Sequence, residues 1–172
     1  MASINFIGGE KSGVGKSVVT RVLVQFHIDS EKPFIGFDTD RSHSSFIRFY
    51  NGYAHPTVVD SYEGLDAIAN ALENDPNQNV IVDLAAQTFA PVARWIADSD
   101  FFEVLKEINV AVNFWHVMDD DTDSVDLLGR LFDTYGSAPY YVIALNDGRG
   151  SDFAIFKRSA EYQRAVSNGA TI

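Results

Sequence analysis

The chain has 172 residues, of which 46% are hydrophobic and 22% are charged, a composition ordinary for a globular protein with a sizeable core. It contains no cysteine, which excludes disulfides, thiolate metal sites and a cysteine-bound iron–sulfur cluster. No apolar run approaches the roughly 20 residues that cross a bilayer, and the N-terminus lacks the charged and apolar regions of a signal peptide. We therefore expect a cytoplasmic protein.

The predicted elements alternate between strand and helix along the whole chain. Apolar runs of about four to eight residues predict buried strands, and apolar residues three or four apart predict helices. In the first half these are a strand at 4–7, a helix to about 29, a strand at 34–38, an irregular stretch at 43–53, a β-like run at 57–59, a helix from Ser61 that breaks at Pro76, and a strand at 79–83.

The second half continues the alternation. Its predicted elements are a helical region at 90–108 interrupted near 98–100, a strand at 110–117, a helix from Thr122, a strand at 140–145, a helix at 153–167 and the start of a further strand at 170–172. Continuous apolar strands separated by helices predict an α/β fold, with a mostly parallel sheet covered by helices on both faces.

The turn after the first strand has the pattern of a phosphate-binding loop. Residues 10–17 are Glu-Lys-Ser-Gly-Val-Gly-Lys-Ser, placed between a strand and a helix as such a loop requires. The glycines let backbone N–H groups close around an anion, and the start of the helix adds positive potential. We expect Lys16 to reach the β- and γ-phosphates and the Ser17 hydroxyl to ligate Mg²⁺. Glu10 replaces the first glycine of the general pattern G-x-x-x-x-G-K-[ST].

Residues 11–17 also resemble the deviant Walker A motif, K-G-G-x-G-K-[ST], of the ParA/MinD family of ATPases. Lys11 stands where that family has its extra signature lysine, and Ser12 stands where it has glycine. Further landmarks follow in the family's order: a D-x-D pair at 38–40, a strand ending at Asp83 like the Walker B strand, and a later strand ending at Asn146. The resemblance spans the chain, and it extends more weakly to the TraL/StbB type encoded with conjugation and plasmid-stability genes.

This resemblance implies a three-layer P-loop NTPase fold over residues 1–172, as one nucleotide-binding domain. It implies an ATP-hydrolysing molecular switch that requires ATP and Mg²⁺, forms an ATP-dependent homodimer, and acts with an unidentified protein partner in partitioning, positioning or conjugative transfer. Family members usually continue beyond the strand that starts at 170–172, so we expect a short or truncated member. The implied nucleotide contacts are Ser12, Gly13, Val14, Gly15, Lys16, Ser17, Val18 and Asn146.

The resemblance also assigns catalytic and metal-binding roles. It implies that Lys16 acts on the phosphates and that Asp40 acts on the attacking water. It also implies that Lys11 reaches the phosphates of a facing subunit. The residues that the resemblance implies as Mg²⁺ ligands are Ser17, Asp38 and Asp83. Two alternatives stay open from the residues themselves, since Asp40 also suits a turn after its strand, and Asn146 suits either an adenine edge or a turn cap.

The charge distribution and the remaining polar residues limit the kinds of binding partner that the chain is expected to have. The net charge of −11 lies almost wholly in residues 60–172, which hold 19 Asp/Glu against 7 Lys/Arg. This opposes non-specific DNA binding unless a local basic patch forms from Lys157, Arg158 and Arg164. The acidic run at 119–121 predicts a helix cap rather than a second metal site. The sequence shows no basic amphipathic helix of the kind that docks on membranes, so membrane docking is not expected.

Two other functions remain compatible with the same loop and sheet. One is a small-molecule kinase or ligase similar to dethiobiotin synthetase, which would need a substrate pocket near residues 42–55. The other is a nucleotide-binding adaptor without useful turnover, whose surface serves a partner protein.

Overall fold

The computed structural model describes residues 2–75 and 77–172. Pro76, which we expected to break a helix, therefore lies outside the described residues. Strands and helices alternate as predicted. In chain order they are β1 (Ser3–Gly8), α1 (Lys16–Asp29), β2 (Phe34–Asp38), α2 (Ser45–Phe49), β3 (Ala54–Pro56), α3 (Tyr62–Asn74), β4 (Asn79–Asp83), α4 (Phe89–Asp98), α5 (Phe101–Glu107), β5 (Ala111–Met118), α6 (Thr122–Tyr135), β6 (Tyr140–Leu145), α7 (Ala154–Arg158) and α8 (Ala160–Ser167).

These strands form one six-stranded sheet in the order β3-β2-β4-β1-β5-β6, and every neighbouring pair is parallel. The register places Asp38 beside Asp83, and Asp83 beside Ile7. The carboxyl ends of β1, β2 and β4 therefore lie side by side, and the loops that follow them meet at one edge of the sheet. In open parallel sheets this edge is where ligands bind.

The strand order determines which face each helix covers. Across the sheet, the connections from β1 to β2 and from β2 to β3 lead towards the edge strand β3. All later connections lead towards the opposite edge strand, β6. Because such crossovers are right-handed, α1 and α2 cover one face and the remaining helices cover the opposite face. The larger core lies under α3 to α8 and includes Phe6, Trp95 and Phe114, and the smaller core under α1 and α2 includes Ile7 and Phe46. The expected three-layer α/β fold is confirmed.

The segment between β2 and α3 differs from its prediction. The irregular stretch expected at 43–53 contains α2, and the β-like run expected at 57–59 is displaced to β3 at Ala54–Pro56. Asp38 explains the helix, because its Oδ2 accepts from the amides of Phe46 (3.0 Å) and Ile47 (3.2 Å) at the start of α2. Gly36 permits the packing, since a Cβ there would overlap the Phe46 ring.

The C-terminal part also differs from its prediction. The single helix expected at 153–167 is divided at Ser159, whose backbone is extended (φ −77°, ψ 162°) and whose Oγ accepts from the Tyr162 amide at 3.1 Å to cap α8. The strand expected at 170–172 is reduced to one parallel bridge between Thr171 and Val142. Within the described parts of the chain, no helix combines the length and apolarity needed to cross a membrane.

Candidate nucleotide-binding site

A cleft of about 680 Å³ opens at the carboxyl ends of β1, β2 and β4. Most of its lining comes from three loops, the glycine-rich loop after β1, the loop after β2 and the loop after β4, and the loops after β3 and β6 also contribute. This volume lies within the range of pockets that hold small molecules and cofactors. Its lining includes Ser12, Gly13, Gly15, Lys16, Ser17, Val18, Thr39, Asp40, Asp83, Gln87 and Arg149.

The glycine-rich loop presents free backbone donors to this cleft. The amides of residues 13–17 donate to no other group that the structure describes. Gly13 and Gly15 have φ values of 79° and 106°, which only glycine adopts without strain. Because these amides converge at the first turn of α1, an anion there would receive several N–H groups and the positive end of the helix dipole. The loop therefore has the unpaired amides and the glycine conformations that an anion cradle requires.

Lys16 lies in the wall of this cradle and is buried. Its Nζ donates to the Lys11 carbonyl oxygen at 2.7 Å, so the side chain folds back across the loop. Burial lowers the pKa of Lys16, and attraction by Asp83, Glu10 and Asp40 offsets part of that effect. A buried ammonium group whose described hydrogen bond goes to one backbone carbonyl is suited to bind a polyanion.

Glu10 has a structural role that the sequence pattern did not reveal. Its Oε1 accepts from the Phe89 amide at 2.7 Å, at the first residue of α4. The glutamate therefore joins the glycine-rich loop to the helix that follows β4. A carboxylate at a helix N-terminus is favourable for the helix dipole, which accounts for a non-glycine residue at this position of the motif.

Two of the predicted metal ligands, Asp38 and Asp83, lie at adjacent strand ends, and the third, Ser17, lies at the start of α1. Asp83 is buried, and burial raises its pKa to about 6, while the hydroxyls of Thr20 and Ser17 lower it in part. Asp38 beside it raises that pKa further by repulsion between the carboxylates. Buried, mutually repelling carboxylates next to a hydroxyl are a donor set that fits Mg²⁺, whose charge would relieve both effects. Ser17 and Asp83 therefore lie together, and their role as metal ligands stays a prediction.

Asp38 is close to this set but its carboxylate is engaged elsewhere. Besides the two α2 amides on Oδ2, its Oδ1 accepts from the Asp40 amide at 3.0 Å. The side chain thus shapes the loop after β2 rather than presenting a free oxygen to a cation. Its predicted role in the metal shell stays a prediction.

Asp40 lies in the cleft and forms a turn of its own. Its Oδ1 accepts from the amides of Ser42 (2.8 Å) and His43 (3.1 Å), and Oδ2 lies 3.4 Å from His43 Nδ1. Partial burial acts to raise the pKa of Asp40, but these amides and His43 outweigh burial and lower it. The turn alternative describes this geometry, and a role of Asp40 toward the attacking water stays a prediction.

Lys11 turns away from the cradle within its own chain. Its Nζ lies 2.9 Å from Asp119 Oδ2 and 2.9 Å from Asp121 Oδ2, in the loop after β5. The hydrogen bond that Lys11 donates to Asp121 raises the pKa of Lys11, although burial partly opposes this. Asp121 also caps α6 by accepting from the Thr122 amide at 2.7 Å, which confirms the predicted helix cap. The sequence did not predict the pairing with Lys11.

Asn146 contacts the outer side of the glycine-rich loop. Its Nδ2 donates to the Val14 carbonyl at 2.7 Å, and its Oδ1 accepts from the Gly148 amide at 3.0 Å. A Cβ at Gly15 would overlap the Asn146 amide, so the asparagine in this position requires glycine at residue 15. The turn-capping alternative describes this geometry, and contact with a base stays a prediction.

Three further cleft residues were missed by sequence reasoning. Thr39 joins two strand ends, because its Oγ1 donates to the Asp83 carbonyl at 3.0 Å and accepts from the Ala85 amide at 2.8 Å. Gln87 and Arg149 also line the cleft. Thr39 was visible as the middle residue of the D-x-D pair, whereas the other two lie in loops without a recognised motif.

No known protein-family model matches the chain. It is 26% identical over 145 residues to the protein MobD of Acidithiobacillus ferrooxidans, a match that covers 82% of this chain and 62% of MobD. The chain thus spans less than two thirds of the length of that relative.

Several solved structures share the fold. The MinD cell division protein of Aquifex aeolicus matches with a TM-score of 0.60 at 15% identity, over 99% of this chain and 80% of MinD. The signal recognition particle 54 kDa protein of Aeropyrum pernix, solved with GDP, matches at 0.54 and 14% identity, over 99% of this chain and 40% of its own. FlhF, solved with GMPPNP and Mg²⁺, matches at 0.52 and 12% identity, over 99% and 63%.

Together, the parallel sheet, the glycine-rich loop between β1 and α1 and these likenesses define a P-loop NTPase fold. MinD, which shares this fold, belongs to the family whose motifs the sequence landmarks resemble.

Proposed function

We propose that this protein is an ATP-binding and ATP-hydrolysing molecular switch that depends on Mg²⁺. The observation that carries the proposal is the cradle of unpaired amides at residues 13–17, with Lys16 in its wall and Ser17 beside Asp83. Phosphoryl transfer needs backbone amides and a lysine that bind the phosphates, and a hydroxyl and a carboxylate that bind the metal ion. The likeness to proteins solved with a guanine nucleotide supports nucleotide binding in general.

Each residue has a defined task in this proposal. The loop amides and Lys16 hold the β- and γ-phosphates, while Ser17 and Asp83 hold Mg²⁺, which would neutralise charge on the same phosphates. Asp40 borders the phosphates and polarises the attacking water. Catalysis then depends mainly on position and charge, since phosphoryl transfer needs little covalent chemistry from the protein.

The switch would act through dimerisation. We propose that ATP holds two copies face to face, that Lys11 of each copy reaches the phosphates of the other, and that hydrolysis releases the pair. The likeness to MobD supports a place in plasmid mobilisation or partitioning, with a protein partner that the chain itself does not identify. Nucleotide, rather than DNA or membrane, is the proposed primary ligand.

Phosphate release with ATP alone, compared with release in the presence of added metabolites, tests this function. A switch hydrolyses ATP without any second substrate, so slow release with ATP and Mg²⁺ alone is the expected result. Release only after a metabolite is added would instead identify a small-molecule kinase or ligase. The absence of turnover under every condition, with ATP bound, would identify a nucleotide-binding adaptor.

A further inference from the structure

Gln87 stands in a backbone conformation that glutamine rarely adopts. Its φ is 64°, in the left-handed region, where a Cβ meets the following carbonyl and where short Asn and Asp side chains are better tolerated. The chain has four other non-glycine residues with positive φ among those described: Glu31, Ser44, Asp100 and Asn109. None of these four lines the nucleotide cleft, whereas Gln87 does.

The loop that carries Gln87 is held in place from both sides. Before it, the Leu84 amide donates to the Ile7 carbonyl at 2.9 Å and the Ala85 amide donates to Thr39 at 2.8 Å. After it, the Thr88 hydroxyl donates back to the Ala85 carbonyl at 2.8 Å. Strained residues persist only where their surroundings fix them, and they concentrate at functional sites.

The side chain of Gln87 is free to act in the cleft. It is exposed, and its amide forms no hydrogen bond with any residue in the described part of the chain. Asp40 is different, because one of its oxygens already accepts two backbone amides and the other faces His43. Gln87 therefore supplies an uncommitted polar group to the cleft that the glycine-rich loop and Asp40 also line. A glutamine amide offers both an acceptor and two donors.

We propose that Gln87 is a catalytic residue that orients the attacking water beside Asp40 during ATP hydrolysis. This inference rests on the proposed ATPase function. The Gln87 Oε1 accepts a hydrogen bond from the water, whose oxygen bonds to the γ-phosphorus as the bond from that phosphorus to the β–γ bridging oxygen breaks. ADP leaves with the electron pair, and the water proton passes to the released phosphate. An amide that orients water is sufficient for this chemistry.

Single-turnover hydrolysis of bound ATP tests the proposal with two complementary variants. Gln87→Ala keeps a Cβ in the left-handed conformation and removes the amide, whereas Gln87→Gly removes the amide and relaxes the backbone. Both are expected to hydrolyse ATP on the order of 100-fold more slowly, with an unchanged Kd for ATP, because each loses the group that positions water.

Glu31→Gly is the matched control. Glu31 has a similar φ of 51° and lies outside the cleft, so this variant relaxes a comparable backbone and is expected to hydrolyse ATP at the wild-type rate. Wild-type turnover in either Gln87 variant would overturn the proposal, and so would loss of ATP binding, which would indicate a structural role. Absence of hydrolysis in the wild-type protein would instead count against the ATPase function itself.

Discussion

Asp83 carries the most perturbed carboxylate of the site. Burial is the largest cause that raises its pKa from 3.8 to about 6, and Asp38 adds repulsion. A folded-state pKa above the unfolded value means that the fold favours the protonated form. Ionised Asp83 therefore destabilises the metal-free protein above about pH 6, and this destabilisation disappears as the pH falls below about 4. The shift corresponds to about 3 kcal/mol.

Asp83→Asn is expected to raise the free energy of unfolding of the metal-free protein at pH 7.5, by up to about 3 kcal/mol. The gain should shrink as the pH is lowered from 6 towards 4, because wild-type Asp83 becomes protonated in that range. Urea unfolding in EDTA across this range measures it. Stabilisation by Mg²⁺ and ATP should be lost in the same variant. A variant less stable than wild type at pH 7.5 in EDTA would contradict this account of Asp83.

Asp40 belongs to the same scale because one side chain forms a turn and borders the phosphate site. Asp40→Ala is expected to bind ATP with Mg²⁺ but to lose most of its turnover, since the phosphate cradle remains while the water loses a polarising group. Steady-state phosphate release and an ATP titration measure the two effects separately. Hydrolysis at the wild-type rate would remove Asp40 from the mechanism.

At the scale of elements, the glycine-rich loop is tied to the loop after β5 through Lys11. The Lys11 side chain is 24% exposed, and it pairs with Asp119 and Asp121 of its own chain. Reaching the phosphates of a facing subunit would require Lys11 to leave both acids. The same lysine therefore has two sets of anionic partners in the proposed mechanism, one within the chain and one across the dimer.

Lys11→Ala is expected to retain monomeric ATP binding and to lose ATP-dependent dimerisation and turnover together. The physical reason is that a cation acting across the interface neutralises charge on phosphates that its own subunit does not reach. Light scattering with a non-hydrolysable ATP analogue measures the dimer, and Lys32→Ala, at an exposed lysine outside the cleft, is the control. Dimerisation of Lys11→Ala at wild-type levels would show that Lys11 serves only its local ion pair.

Most elements could be predicted because their causes are local. Buried parallel strands such as β4 and β5 are mostly apolar runs, and the loop before α1 has a motif with a fixed spacing. The helix α2 could not be predicted from periodicity, since it is short and Asp38 caps its amides from a preceding strand. The partners of Lys11 were invisible for the same reason, because they lie more than a hundred residues away along the chain.

The site was predictable to the extent that its chemistry is written in a motif. Lys16 and Ser17 at the start of α1 lie near Asp83 because β1, which leads into α1, is adjacent to β4 in the parallel sheet. Gln87 follows no motif that we recognised, and its left-handed backbone is apparent only in the structure. Strain of this kind arises from the hydrogen bonds of the surrounding loops, which a sequence does not display.

At the scale of the whole molecule, the net charge of −11 governs encounters with other polyanions. Of the basic residues near the C-terminus, Arg164 is paired with Asp133 at 2.7 Å and lies over the Phe132 ring. That pairing leaves Lys157 and Arg158 on the short helix α7 as the cations of this region. The structure therefore gives little support to a local patch that could overcome the overall charge.

Non-specific duplex DNA should consequently bind weakly to the protein at physiological salt. Fluorescence anisotropy with a labelled duplex, at low and at physiological salt, measures this directly. Binding by neutralisation of phosphates would give a Kd in the range of about 10⁻⁴ to 10⁻⁶ M that weakens as salt increases. A salt-sensitive Kd in that range would contradict the expectation, and Lys157→Glu would then locate the contact.

Nucleotide binding by the glycine-rich loop is the claim on which the other proposals depend. The most direct measurement is a titration of the wild-type protein and of Lys16→Ala with ATP and Mg²⁺, after circular dichroism has verified that both are folded. Lys16 lies in the cleft wall and, among the residues that the structure describes, its ammonium group donates only to the Lys11 carbonyl, so its loss should leave the core intact. The account predicts saturable binding by wild type and none by Lys16→Ala, whereas equal affinity of the two proteins would contradict it.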